Sequence, residues 1–210
     1  MFDNNNNEID SGLALPLMES FYTIQGEGYY AGIPSYFLRI GGCDVGCHWC
    51  DVKESWDADS HPLTKIDDIV KNLDQNVCEY VVITGGEPLM YNLDPLTNLL
   101  KKSKFKINLE TSGSHPLTGV FDWICLSPKK NTDIIENIYE KCDELKVIVQ
   151  NNNDFKWAEI QSNKLKTDCF MYLQPEWSKS KIMLPRIIDY VKNNPKWKIS
   201  LQTQRYMNIP

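Results

Sequence analysis

Short apolar runs recur along the chain at 35–40, 80–84, 105–109, 123–126, 145–149, 170–174 and 198–202, each bounded by polar or turn residues. Runs of this length, rich in Val, Ile, Phe and Tyr, read as buried strands. Between them apolar residues fall at helical spacing. Ile66, Ile69, Val70 and Leu73 share one face of a helix over 64–73, with Thr64 as its cap and Asp67 three residues on. Further helices are predicted at 93–102, about 132–141, 154–162 and 182–191. Strands alternating with helices imply βαβ units and an α/β fold with a mainly parallel sheet. Six or seven strands in 210 residues fall short of an eight-unit barrel, which takes about 250 residues. The expected architecture is a modified, partial (β/α) barrel with its site at the strand C-termini.

Length and composition fit one globular unit, with 42% hydrophobic and 24% charged residues. The polar opening Met-Phe-Asp-Asn-Asn-Asn-Asn-Glu-Ile-Asp lacks the basic and apolar regions of a signal peptide. Residues 1–15 are expected to be a loosely ordered lead-in, residues 16–210 one domain, and the protein cytoplasmic. No apolar run is long enough to span a membrane, and a net charge of −6 argues against a nucleic-acid surface. Seven cysteines is an odd count, which fits a reducing compartment better than a disulfide framework. Cys78, Cys125, Cys142 and Cys169 are isolated in sequence, and Cys125 and Cys169 read as small buried hydrophobes.

Cys43, Cys47 and Cys50 form a C-x3-C-x2-C run soon after the strand at 35–40. A [4Fe–4S] cluster usually takes four thiolates. Three in one loop leave one iron open, and an open coordination position is arranged for chemistry. A zinc knuckle would bring a second Cys or His pair, and His48 is poorly placed to close the same shell. A ferredoxin would bring a fourth Cys. The spacing resembles that of the radical S-adenosylmethionine superfamily, in which the open iron chelates S-adenosylmethionine.

Other motifs fall mostly at strand ends. Thr84-Gly-Gly-Glu-Pro88 offers glycines for close backbone approach and a carboxylate suited to a cationic amine, or else is a glycine turn. Glu110-Thr-Ser-Gly113 either faces the same cavity or caps its strand. Gln25 and Glu27 in Gln25-Gly-Glu-Gly28 suit the donor and acceptor edge of a heterocycle, with a polar hairpin turn as the alternative. Arg39, inside an apolar strand, needs an anion, which is either a substrate carboxylate or an internal Asp or Glu. His61 and His115 precede prolines and read as loop residues.

These motifs occur in the order Gln25-Gly-Glu-Gly28, Phe37-Leu-Arg-Ile-Gly-Gly-Cys-Asp44, Cys47-His-Trp-Cys-Asp51, Thr84-Gly-Gly-Glu-Pro88, Ser127-Pro-Lys129, Leu173-Gln-Pro175 and Ser200-Leu-Gln-Thr203. In that order they resemble the 7-carboxy-7-deazaguanine synthases of queuosine and other 7-deazapurine biosynthesis, over nearly the whole chain. The resemblance implies a homodimeric radical enzyme of the lyase type. It would convert 6-carboxy-5,6,7,8-tetrahydropterin to 7-carboxy-7-deazaguanine with loss of ammonia. Its cofactors would be a [4Fe–4S] cluster on Cys43, Cys47 and Cys50 and S-adenosylmethionine, with an external electron donor such as a flavodoxin. The resemblance assigns Trp49, Cys50, Asp51, Gly86, Ser127, Pro128, Lys129, Gln174, Pro175, Glu176 and Trp177 to S-adenosylmethionine. It assigns Ile24, Gln25, Gly26, Glu27, Arg39, Thr84 and the carboxylate of Pro210 to the pterin.

Two positions depart from the family. Val52 replaces a threonine that is a magnesium ligand there, and supplies no side-chain oxygen; magnesium dependence is expected to be weakened. Gln204 stands where a histidine is common. Two other functions share part of the pattern. A glycyl-radical activating enzyme has the cluster loop but normally lacks the Gln-Gly-Glu-Gly opening and Arg39, and an electron carrier gains nothing from S-adenosylmethionine.

Overall fold

The computed structural model describes residues 7–166 and 168–210. The apolar runs expected to be strands contain strands: β2 (Pro34–Ile40), β4 (Tyr80–Gly85), β5 (Lys106–Thr111), β6 (Trp123–Leu126), β7 (Glu144–Val149), β8 (Phe170–Pro175) and β9 (Trp197–Ile199), the last ending before residues 200–202 of the expected run. All seven run parallel. Two antiparallel strands go beyond the expected set. β1 (Ala14–Ile24) pairs with β2, with a register shift between Leu17 and Glu19, and β3 (Leu63–Lys65) pairs with the start of β1. Pro16 and Glu19 break the apolar pattern of β1, so period alone does not reveal it.

The nine strands form one sheet in the order β3-β1-β2-β4-β5-β6-β7-β8-β9. The sheet does not close, since β3 and β9 are its two edges. The α/β, mainly parallel, open architecture is as expected. Residues 1–6 of the expected lead-in lie outside the described residues. A helical turn covers 7–10, and Ala14 and Leu15 are already buried in β1, so regular structure begins before residue 16.

Helices join the parallel strands: α1 (Ile66–Lys71), α2 (Asp94–Lys102), α3 (Ile138–Lys141), α4 (Asn153–Ser162) and α5 (Ser180–Asn193), with α6 (Thr203–Met207) after β9. Thr64 is not the cap of α1. It pairs with Leu15 in β3, and the helix starts two residues later, at Ile66. The helix expected over about 132–141 shrinks to Ile138–Lys141, a single turn. Among the described residues no helix is long and apolar enough to cross a membrane.

The strands divide their side chains between two faces, as a pleated chain must. Leu38 and Ile40, Val81 and Ile83, Ile107 and Leu109, Ile124 and Leu126, Leu145 and Val147, and Leu173 belong to the apolar core. Helix residues Leu96, Leu100, Ala158, Met183 and Ile187 belong to the same core. The intervening positions carry Arg39, Thr84, Asn108, Glu110, Cys125, Glu144, Lys146 and Gln174. An inner face this polar is not selected for stability, because every buried polar group needs a partner.

Candidate functional site

The inner face holds a cavity of about 280 Å³ at the C-terminal ends of the parallel strands. Its lining brings together Cys43, Cys47 and Cys50 with Trp49, Asp51, Gly86, Ser127, Lys129, Gln174, Pro175, Glu176 and Trp177. Ile24, Gln25, Gly26, Glu27, Arg39, Thr84 and Pro210 line the same cavity. Of the residues expected at the site, only Pro128 is absent from this wall, and it is buried.

The cluster loop is clamped at its start. Gly42 and Cys43 donate their N–H groups to the carbonyls of Ser55 and Trp56 at 2.7 and 3.1 Å, and Gly86 and Glu87 donate to those of Ile40 and Gly42, both at 2.9 Å. The turn after β4 therefore presses on the backbone entering the loop. A Cβ on Gly86 would lie 2.1 Å from the Gly42 carbonyl oxygen, and one on Gly85 would lie 2.0 Å from that of Ile40. Gly85 also has φ +143°, a conformation L side chains rarely adopt. Close approach, rather than flexibility, requires glycine at both positions.

The donor set suits a cluster. Cys43, Cys47 and Cys50 line one cavity from a single loop, and thiolates are the ligands a [4Fe–4S] cluster takes. Burial pushes the Cys43 thiol up, against the pull of the Val45 and Gly46 N–H groups, and pushes the Cys47 thiol up against the pull of Lys129. The protein alone does not favour these thiolates, so a polycationic iron core is what would ionise them. His48 is exposed and lies off the cavity wall.

The carboxylate of Glu87 is not free to hold an amine. Its Oε1 accepts from Leu89 N at 3.1 Å and Thr111 Oγ1 at 2.6 Å, while Oε2 accepts from Ser112 N at 2.7 Å and Ser112 Oγ at 2.5 Å. That corrects the sequence expectation. Glu87 is an internal strut that ties the end of β4 to the end of β5, and it leaves the backbone of Gly86 to face the cavity.

Arg39 meets the internal-carboxylate reading. Its Nε donates to Glu19 Oε1 at 2.5 Å across the β1–β2 pair. Among the described residues, its terminal nitrogens meet no acceptor. One edge of the guanidinium is thus held and the other faces the cavity.

Glu27 is held more firmly than a hairpin-turn residue would be. The turn after β1 runs up the inner face, with Tyr29 N meeting Glu144 at the start of β7 and Glu27 meeting Lys146 two residues further on. Glu27 Oε2 accepts from Lys146 Nζ at 2.9 Å and Gln174 Nε2 at 3.0 Å, and Oε1 accepts from Gln202 Nε2 at 3.1 Å and Gln204 Nε2 at 3.0 Å. Burial opposes its ionisation, but the Lys146 charge and the hydrogen bonds outweigh that and pull its pKa down to about 2. Its oxygens are thus shared with the protein. The Gln174 amide is likewise engaged at both ends, since its Oε1 accepts from Ser200 Oγ at 2.6 Å.

Sequence reasoning missed Lys146, Glu144, Gln202 and Arg205. Lys146 Nζ bridges Glu27 and Glu110, each at 2.9 Å. Asp51 Oδ2 accepts from Gln202 Nε2 at 3.1 Å and Arg205 Nη2 at 2.9 Å, and Arg205 also stacks over Trp177 at 4.9 Å. Thr23 Oγ1 donates to Pro210 O at 3.4 Å. The segment from Gln202 to Pro210 therefore straps the cluster loop to the turn after β1. A signal was present: a Lys or Glu at alternate positions of an otherwise apolar strand marks a polar inner face. Elsewhere, Cys142 and Cys169, isolated in sequence, bring their sulfurs to 3.8 Å. His61 Nε2 meets Glu54 O at 2.8 Å and His115 Nε2 meets Asp44 at 2.9 Å, both in loops as expected.

Known proteins share this fold. The family model of the Radical SAM superfamily matches residues 38–155. A 7-carboxy-7-deazaguanine synthase of Flavobacterium psychrophilum is 55% identical over 96% of both chains. That of Synechocystis is 43% identical over 94% of both. The crystal structure of QueE from Escherichia coli superposes with a TM-score of 0.80 at 30% identity, covering 93% of this chain and 97% of that one. The fold and the three-cysteine loop are those of the radical SAM superfamily. Within it, the chain belongs to the family of the 7-carboxy-7-deazaguanine synthases.

Proposed function

We propose that this enzyme converts 6-carboxy-5,6,7,8-tetrahydropterin to 7-carboxy-7-deazaguanine with release of ammonia, in 7-deazapurine biosynthesis. One observation carries the reading: the three thiols share one cavity with Arg39, Gln25 and Thr84, so a radical source and a heterocycle carboxylate can be held side by side. When bound, the cluster and S-adenosylmethionine supply a carbon radical that removes hydrogen from the substrate.

The chain's own residues bind, orient and shield. Cys43, Cys47 and Cys50 hold the cluster. Lys129 donates to Ser127 O and Oγ, both at 2.6 Å, and lies over Trp49 at 5.5 Å, so the Ser127-Pro-Lys129 turn braces the cofactor side with Gly86, Glu176 and Trp177. The free edge of Arg39 takes the substrate carboxylate bidentately, while Gln25 and Thr84 serve the pterin edge and Pro210 closes the far side. Water exclusion preserves the radical.

Residues 16–210, together with the start of β1, act as one unit, as a cytoplasmic homodimer served by an external electron donor. Magnesium is not strongly required, because Val52 offers no oxygen and Arg205 already neutralises Asp51. A Val52→Thr variant is expected to gain a magnesium response, and an unchanged response refutes the idea. The function is tested anaerobically on reconstituted protein with the pterin, S-adenosylmethionine and a reductant, reading product by mass spectrometry. Product without net loss of S-adenosylmethionine is expected; cleavage to 5′-deoxyadenosine without product refutes the substrate.

A further inference from the structure

A second, smaller cavity of about 10 Å³ lies on the same inner face, lined by Gln25, Asn108, Glu110, Cys125 and Glu144 among others. Asn108 and Glu144 each stand two residues nearer the strand start than Glu110 and Lys146, one layer below the reaction cavity. They are 4% and 2% exposed. Asn108 Oδ1 and Glu144 Oε1 are buried and meet no donor among the described residues.

The other oxygen of Glu144 is occupied: Oε2 accepts from Tyr29 N at 3.0 Å and Trp123 Nε1 at 3.1 Å. A carboxyl that accepts twice on one oxygen, with the second shut away from solvent, is arranged for its neutral form with the hydrogen on Oε1. Burial raises its pKa; Lys146 opposes this and the Glu110 charge reinforces it. The space is about the smallest that admits one water molecule, which needs two to four polar partners.

We propose that this cavity binds one structural water between Glu144 Oε1–H and Asn108 Oδ1, and that the water joins Glu144 to Glu110 as a proton reserve for the reaction cavity. Glu110 lines both spaces. The inference rests on the proposed reaction, because leaving ammonia must gain a proton. Glu144 gives its hydrogen to the water, the water passes one of its own to the Glu110 carboxylate, and the charge moves from Glu110 to Glu144. Lys146 stays cationic beside both. Cys125, Tyr172 and Tyr30 also stand close by. Burial pushes the Cys125 thiol and Tyr30 up and Tyr172 up to about 12, so all three stay neutral. Between turnovers Glu144 is recharged by the reverse path, through the water and Glu110, from solvent entering the reaction cavity.

Two measurements test this. A crystal structure of the anaerobic holoenzyme should show a water about 2.7–3.2 Å from both oxygens; a collapsed cavity with Glu144 bonded directly to Asn108 overturns the site. Glu144→Gln keeps the shape and hydrogen bonds but carries no acidic proton, and Asn108→Leu fills the space. Both should slow product formation about a hundredfold, with the hydrogen transfer that forms 5′-deoxyadenosine unchanged in a single turnover. The decline in wild-type rate as pH rises through the raised Glu144 pKa should vanish in Glu144→Gln. A wild-type rate and pH profile in that variant overturns the relay. If the wild type forms no 7-carboxy-7-deazaguanine, the proposed reaction fails and the relay with it, while the water is still read independently in the crystal.

Discussion

Replacing Glu27 by Gln should destabilise the fold by about 3 kcal/mol at neutral pH, a figure that two routes support. The carboxylate has a pKa of about 2 in the folded protein against about 4.3 in an unfolded chain, and each unit is worth about 1.4 kcal/mol. Independently, removing one partner of a buried ion pair costs about 3–5 kcal/mol, and Lys146 keeps Glu110, which places the loss at the lower end. The sign is that of a depressed acid: its contribution is complete above about pH 4.3 and is lost as pH falls toward about 2. Urea unfolding of the reduced apoprotein, run on both variants from about pH 7 down to about pH 3, measures it. The difference should be about 3 kcal/mol near neutrality and narrow steadily below about pH 4.3. A gap under about 0.5 kcal/mol, or one that does not narrow in acid, refutes the view that Glu27 is an ionised internal anchor.

Gly86→Ala should destabilise the apoprotein by about 1–3 kcal/mol and lower iron incorporation, since its Cβ would meet the Gly42 oxygen at 2.1 Å; wild-type loading and midpoint would refute the close-approach argument. Arg39→Lys should reduce kcat/KM for the pterin about tenfold to a hundredfold with little change in cluster content, measured by steady-state kinetics and iron analysis. Arg205→Ala should cost under about 1 kcal/mol of stability, because both partners of its ion pair are partly exposed. It should still weaken turnover by loosening Asp51, which paired thermal unfolding and product assays would separate.

The seven parallel strands were legible because each reads as a short apolar run, six of them flanked by strands on both sides. β1 was not, because Pro16, Glu19 and a register shift interrupt its period, and its stability comes from pairing with β2. Thr64 looked like a helix cap since the cap motif is local, whereas its pairing with Leu15 is not. Much of the cavity wall was legible through motifs next to glycines or cysteines, and Ser127, Lys129, Gln174 to Trp177 and Pro210 through the family resemblance alone. Glu87 misled for the same reason: its position beside two glycines suggested a ligand, but its donors come from Leu89, Thr111 and Ser112. Lys146 and Arg205 belong to no local motif, Gln202 lies in one that assigned it no role, and only the tertiary fold shows their partners.

The strap across the cavity also orders events in folding. Its bonds join residues far apart in sequence, from Asp51 to Arg205 and from Glu27 to Gln202 and Gln204, whereas β4 to β9 pair with strands nearby in the chain. Closing long loops carries the larger entropic cost, and contacts of high sequence separation form late. The sheet can therefore assemble, and the cysteine loop present its thiols, before the cavity shuts. By the same reasoning, mild denaturant should release the strap first, leaving a folded sheet with an open mouth.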